Sequence, residues 1–386
     1  MDEKTRLIRA GAVPAKLCKT VGPPIQRGST VLLPDAAALY DHDQITYGRQ
    51  GLAAQAALQD ALASLEHAVG VSLYPSGLAA LSGALLAVLK AGDEVLVTDT
   101  IYAPTRRFCD HVLKRFGVAV TYYDPGTTPQ ALVDGASAAV RLILLESPGS
   151  LTMEMQDVPK VAELARRRGI LTACDNTWAA GHLFKPLRHG VDLSIQALTK
   201  YVGGHSDVFM GSAAASDPKL VRALSDGVLH LGWAVSPDDA YLMLRGLRTL
   251  PARLEAQGRN AMRVAEWLGE QPQVAALYYP ALPGAPDHAL WARDFSGAAS
   301  LFTLALQPAP EAAVNAFLDA LDLFGLGFSW GGYESLVISC DHQLANRRFR
   351  RDYGGPLVRL HVGLEDADDL IEDLRGALSA YDRARG

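Results

Sequence analysis

The sequence predicts an α/β fold with a mainly parallel central sheet, followed by a smaller α+β unit, and three observations carry that reading. Short β-rich runs recur at 94–99 (EVLVTD), 118–124 (VAVTYYD), 141–146 (RLILLE), 170–175 (ILTACD) and 191–197 (VDLSIQA), and most neighbouring runs leave room for a helix between them. Several runs close on an acid, Asp99, Glu146 and Asp175, which places polar groups at the carboxyl edge where open α/β sheets take ligands. Beyond about Gly246 the pattern changes to a helix through 260–269, apolar runs at 299–306 and 357–362, and a last helix over 367–381. The expected organisation is therefore an arm over 1–50, a large α/β domain over 51–246 and a C-terminal α+β domain over 247–386.

Each element has its own reason. The first fifty residues carry Pro14, Pro23, Pro24 and Pro34 among several glycines and read as an irregular arm that packs on something else. From 52 to 69 the run LAAQAALQDALASLEHAV places Ala and Leu at helical spacing and is expected to stop at Gly70. The run AALSGALLAVLKAG after Ser76-Gly77-Leu78 is a second helix. A third opens at Asp157-Val158-Pro159 and closes on arginines before Gly169, with capping acid, early proline and late cations all in place.

Composition narrows the function. The 386 residues are 49% hydrophobic and 20% charged with a formal charge of −6, an ordinary globular balance. The short basic runs at 166–168 and 347–348 have acidic neighbours and read as solvated faces, so no nucleic-acid partner is expected. The charged N-terminus has no apolar signal-peptide core, and no later run reaches the roughly 20 apolar residues of a membrane span, so a cytoplasmic protein is expected. Cys18, Cys109, Cys174 and Cys340 are widely spaced and the ten histidines form no ligand pattern, which argues against a disulfide framework and a metal.

Three elements carry chemistry. Lys200 follows a strand and precedes Gly203-Gly204, where its amine could enter a cleft; alone it reads better as a surface lysine, because a reactive amine needs partial desolvation. Asp175 ends an apolar strand, where a buried carboxylate needs a cationic partner; a helix cap is the competing reading. Ser76, Gly77 and Leu78 open a helix whose free N–H groups suit a phosphate, although plain capping by Ser76 explains them equally well. Thr199 could add a hydroxyl. Phosphate turn, strand-end acid and strand-end lysine, in that order, are what a pyridoxal-phosphate site on a parallel sheet requires.

The segments YGRQG (47–51), ESPGSLTMEMQDVP (146–159), DNTWAAGHLFKPLRHGVDLSIQALTKYVGGHSD (175–207), LRGLRT (244–249), FSWGGYES (328–335) and RLHVGLED (359–366) resemble the Cys/Met-metabolism pyridoxal-phosphate family, most of all its bacterial cystathionine β-lyases. The resemblance implies the aspartate-aminotransferase-like fold type I, pyridoxal 5'-phosphate as cofactor, Lys200 as its covalent anchor and Asp175 as partner of its ring nitrogen. It further implies that Tyr102 stacks on the ring and takes part in acid/base chemistry, that Tyr47 and Arg49 reach the phosphate of a neighbouring subunit's cofactor, and that Arg359 binds the substrate carboxylate. Ser329 and Trp330 would line the substrate site, Trp330 favouring β-chemistry; by itself it would read as a core or interface tryptophan. Ala197 stands where many relatives have serine, which removes one phosphate contact.

The implied reaction splits L-cystathionine into homocysteine, pyruvate and ammonia, in a homotetramer with shared sites. The alternatives are γ-chemistry, as in cystathionine γ-lyase, γ-synthase or methionine γ-lyase, a cysteine or cystine lyase, and, more remotely, a non-catalytic protein on this fold. No GxGxxG follows an early strand, which argues against a nicotinamide dehydrogenase.

Overall fold

The structure, a computed structural model, describes residues 2–9, 20–41 and 44–385; Pro14 and Cys18 lie outside them. Seven strands form the larger sheet: β1 (Gly70–Tyr74), β2 (Glu94–Thr98), β3 (Ala119–Tyr123), β4 (Val140–Glu146), β5 (Leu171–Asp175), β6 (Leu193–Gln196) and β7 (Gly211–Ala215), in the order β1-β7-β6-β5-β4-β2-β3. The β3, β2, β4, β5 and β6 neighbours pair parallel, and only β7 runs against both of its neighbours.

Burial on both faces explains the unbroken apolar runs. In β4, Ile143 and Leu145 join the core beneath helices Ala53–Glu66 and Val158–Arg167, while Leu142 and Leu144 join the core beneath Gly77–Val88 on the other face. The five expected strands are all present. β1 and β7 are additions: GSAAA lacks the β-branched residues that mark strands, and it is held as one by burial between β1 and β6. Gly70 begins β1 and does not end the preceding helix, which stops at His67 in the left-handed conformation (φ 55°).

The smaller sheet comprises β8 (Val274–Tyr278), β9 (Leu301–Leu306), β10 (Gly325–Leu326), β11 (Leu336–Ser339) and β12 (Leu357–His361), ordered β10-β11-β12-β9-β8, with helices Glu311–Asp319 and Ala367–Arg385 packed together beside it. The helix expected through 260–269 is the last part of one 33-residue helix, Pro237–Gly269, which carries Pro251 inside it and crosses the boundary placed at Gly246. It runs between the two sheets' cores and ties them together.

Candidate active site

The carboxyl ends of β4, β5 and β6, the start of helix Gly77–Val88 and the β12 side of the smaller sheet surround a cavity of about 220 Å³. Every residue expected at the site borders it except Tyr47 and Arg49. Arg49 donates from Nη1 to Leu229 O (2.7 Å) and lines a separate cleft with Trp233, while Tyr47 is exposed on the arm. Asp99 also lies elsewhere: its carboxylate takes the buried Arg106 guanidinium and the Phe349 N–H (2.8 Å), so this strand-end acid fastens the 341–355 segment to the larger sheet.

Lys200 sits in the turn that leaves β6. Its Nζ donates to Ser329 Oγ at 2.8 Å and lies 5.4 Å from the centre of the Trp330 ring. Burial, aided by the charge of Arg359 and opposed by Asp175, lowers the ammonium pKa from 10.5 to about 8, which supplies the desolvation that sequence spacing alone could not establish. Arg359, itself buried, donates from Nη2 to Ser329 O at 3.1 Å.

Asp175 is 7% exposed, and burial raises its pKa against two hydrogen bonds from Thr177 and the charge of Lys200. Thr177 N (3.0 Å) and Oγ1 (2.5 Å) both donate to Asp175 Oδ1, and Thr177 Oγ1 accepts from Ala197 N (2.9 Å). This threonine thus stitches the end of β5 to the turn before Lys200. Its only mark in the sequence is a hydroxyl two residues after a strand-end acid.

Ser76 caps helix Gly77–Val88, its Oγ accepting from Ala79 N at 3.1 Å, and Ala80 N goes to Ser76 O. The helix start therefore leaves the Gly77 and Leu78 N–H groups at the cavity. Gly77 is required by its neighbour: a Cβ there would stand 2.4 Å from the Cβ of Ala197. The small residue that looked like a lost phosphate contact is thus the counterpart of that glycine. Thr199 Oγ1 donates to Met210 O (3.1 Å) and accepts from Met210 N (2.9 Å), so its proton is already committed to the backbone and must turn to meet a phosphate.

Tyr102 opens the short helix Ala103–Phe108, and its backbone N–H donates to Glu146 Oε2 at 2.7 Å. Partial burial and then the nearby Asp175 charge raise the phenol pKa, so at neutral pH it is a proton donor. Glu146 faces Asp175 across the β4–β5 register, and burial followed by that neighbour raises its pKa well above the carboxylate range. Each carboxyl has one cation near it, Lys200 for Asp175 and Arg347 for Glu146, but Asp175 takes two hydrogen bonds and Glu146 one N–H, so the shared negative charge belongs on Asp175.

Pyridoxal phosphate has a phosphate, an aldehyde and a basic ring nitrogen. Free helix-start N–H groups, an amine of lowered pKa and a buried carboxylate meet those three groups in one cavity, so the residues fit it. Residues 4–379 match the family described as Cys/Met metabolism PLP-dependent enzyme. The chain belongs to this family. Pyridoxal phosphate is its cofactor. The putative cystathionine beta-lyase of Rhizobium johnstonii is 44% identical over 97% of this chain and 96% of its own. Cystathionine beta-lyase MetC of Escherichia coli is 40% identical over 96% of each. The solved structure of cystathionine gamma-lyase from Lactobacillus plantarum complexed with L-serine superposes with a TM-score of 0.90 at 30% identity, covering 99% of this chain and all of that one.

Proposed function

We propose that the protein is a carbon–sulfur lyase that cleaves the Cβ–S bond of L-cystathionine, with water, to homocysteine, pyruvate and ammonia. The observation that carries this reading is a desolvated Lys200 amine in one cavity with the Asp175 carboxylate and the Arg359 guanidinium. The β-lyase relatives at 40 and 44% identity direct it to the β-carbon.

Arg359 offers a fork of donors to the substrate's α-carboxylate and orients its Cα beside Lys200. Pyridoxal phosphate, when bound, supplies the electron sink for the reaction. Lys200 anchors the cofactor at rest and, once free, takes the Cα proton; its lowered pKa makes the neutral amine available near neutral pH. Asp175, kept anionic by Thr177, holds a proton on the cofactor's ring nitrogen. Tyr102, protonated and held by its backbone N–H to Glu146, borders the cavity where it would stack on the cofactor ring, and is one source of the proton for the departing sulfur, Lys200 being the other. Ser76, Gly77, Leu78 and Thr199 would hold the phosphate, and Ser329 and Trp330 border the substrate together with Tyr47 from a neighbouring copy.

Tyr47 and Arg49 lie outside their own chain's cavity, which supports an assembly, here a homotetramer, in which they complete the phosphate site of a neighbouring copy. Among the described residues no helix is long and apolar enough to cross a membrane. We place the activity in the cytoplasm. A coupled pyruvate assay with L-cystathionine tests the function: the wild type releases pyruvate and Lys200→Ala does not. Equal pyruvate release by Lys200→Ala would remove Lys200 from the chemistry.

A further inference from the structure

Ser329 and Trp330 reach Lys200 from the smaller sheet's side, so something must hold their loop in place. β12 places Arg359 and His361 two residues apart and therefore on one face of its sheet. Arg359 meets Ser329 O, whereas His361, 1% exposed, meets the next part of the same loop. His361 Nε2 accepts from Gly331 N–H at 3.1 Å and lies 3.2 Å from Gly332 O. His361 Nδ1 is 2.9 Å from Ser300 Oγ, which is 2.9 Å from the hydroxyl of Tyr201, the residue after Lys200. The Tyr201 ring in turn packs edge-on against Trp330 at 5.3 Å.

The protonation state follows from these contacts. Burial lowers the His361 pKa to about 3, against the pull of the Gly332 carbonyl and with the charges of Arg359 and Lys200 adding to it, so the ring is neutral. A neutral ring has one N–H. With the Nε2 lone pair used by Gly331, the proton lies on Nδ1 and goes to Ser300. The loop also lies close on the lysine backbone: Gly331 has φ 85°, and a Cβ there would stand 2.9 Å from the Lys200 carbonyl carbon. A loop so near the amine passes any displacement directly to Ser329 and Trp330.

We propose that His361 is a positioning residue whose Nε2, by accepting from Gly331 N–H, holds Ser329 and Trp330 against Lys200 and so sets which sulfur substrates fit beside the amine. It does not line the cavity and acts through the loop. The inference deepens the lyase reading and rests on it for the substrate.

Three variants separate its parts. His361→Gln can return an acceptor near the Nε2 position, His361→Asn can return only a donor near Nδ1, and His361→Leu returns neither. Two readouts are taken on the holoenzyme: deuterium exchange of the peptide containing Gly331, and kcat and KM for L-cystathionine and L-cysteine. Leu and Asn are expected to expose the Gly331 amide to exchange. They are also expected to lower kcat/KM for L-cystathionine by about 10- to 100-fold, the scale on which displacement of a positioning group by about 1 Å acts. L-Cysteine should lose less, because it presents no large sulfur substituent to Trp330. Gln is expected to retain Gly331 protection and to recover most of the activity. Equal protection and kinetics in Gln and Asn would overturn the proposal, as would wild-type values in a folded Leu variant. Should Leu fail to fold, the order of Gln over Asn still decides. A wild type that forms no pyruvate would refute the lyase reading, while Gly331 exchange would still test the positioning role.

Discussion

Replacing Thr177 with valine keeps the volume of the side chain and removes its hydroxyl. In the wild type that hydroxyl donates to Asp175 Oδ1 at 2.5 Å and accepts from Ala197 N at 2.9 Å, and both Thr177 and Asp175 are buried. A hydrogen bond to a charged group contributes about 1.5–3 kcal/mol, equivalent to roughly 10- to 150-fold in the balance between the ionised and neutral carboxyl. The remaining bond from Thr177 N, at 3.0 Å, preserves part of the stabilisation. Loss of the hydroxyl should therefore raise the Asp175 pKa further, weaken its hold on the ring nitrogen's proton and lower kcat by about 10- to 100-fold. The orphaned Ala197 N–H should also lower the unfolding free energy by about 1–3 kcal/mol. Steady-state kinetics and urea unfolding read the two effects, and Thr177→Ser, which keeps the hydroxyl, should recover both. A valine variant with kcat within twofold of wild type would refute the reasoning about Asp175.

Four other predictions follow from the same geometry. Uptake of pyridoxal phosphate by the apoprotein needs a neutral Lys200 amine, so its rate, followed by absorbance, should rise with pH and level off above about 8; a rise continuing toward pH 10 would mean an unperturbed lysine. Burial would raise the Glu3 pKa, but His182 and Lys185 outweigh it and hold it near 2, below 4.5 in the unfolded chain. Its contribution is thus complete above pH 4.5 and lost as pH falls toward 2. Glu3→Gln should lower stability at pH 7 by about 1 kcal/mol in urea unfolding and converge with the wild type in acid. Gly77→Ala must displace Ala197, so the dissociation constant for pyridoxal phosphate should increase at least tenfold by equilibrium titration. Glu146→Gln keeps an acceptor for Tyr102 N and the neutral state, and should retain most of kcat, whereas Glu146→Ala frees Tyr102 and should lose about tenfold.

The regular elements were legible where one physical signal dominated. The acid, proline, arginines and glycine around helix Val158–Arg167 mark the ends that the structure has, with Asp157 accepting from Lys160 N and Gly169 at φ 68°. β7 was illegible because its strand character comes from its two neighbours and not from GSAAA itself. Lys200, Asp175 and the helix start could be ordered along the chain, but only the fold brings them to one cavity. Ala197 shows the limit well: its pairing with Gly77 is a contact across 120 positions of sequence, and no local pattern records it. His361 is illegible for the same reason, since it acts through a hydrogen bond to backbone 30 positions away, whereas Thr177 has a local mark in its hydroxyl two residues after Asp175 and only its bond to Ala197 N is long-range.

Product identification with purified holoenzyme and L-cystathionine tests the central claim most directly. Pyruvate, ammonia and homocysteine released in equal amounts, with no release by Lys200→Ala, is the predicted result. Release of 2-oxobutyrate and cysteine in their place would show cleavage at the γ-carbon and contradict the β-elimination assigned to this site.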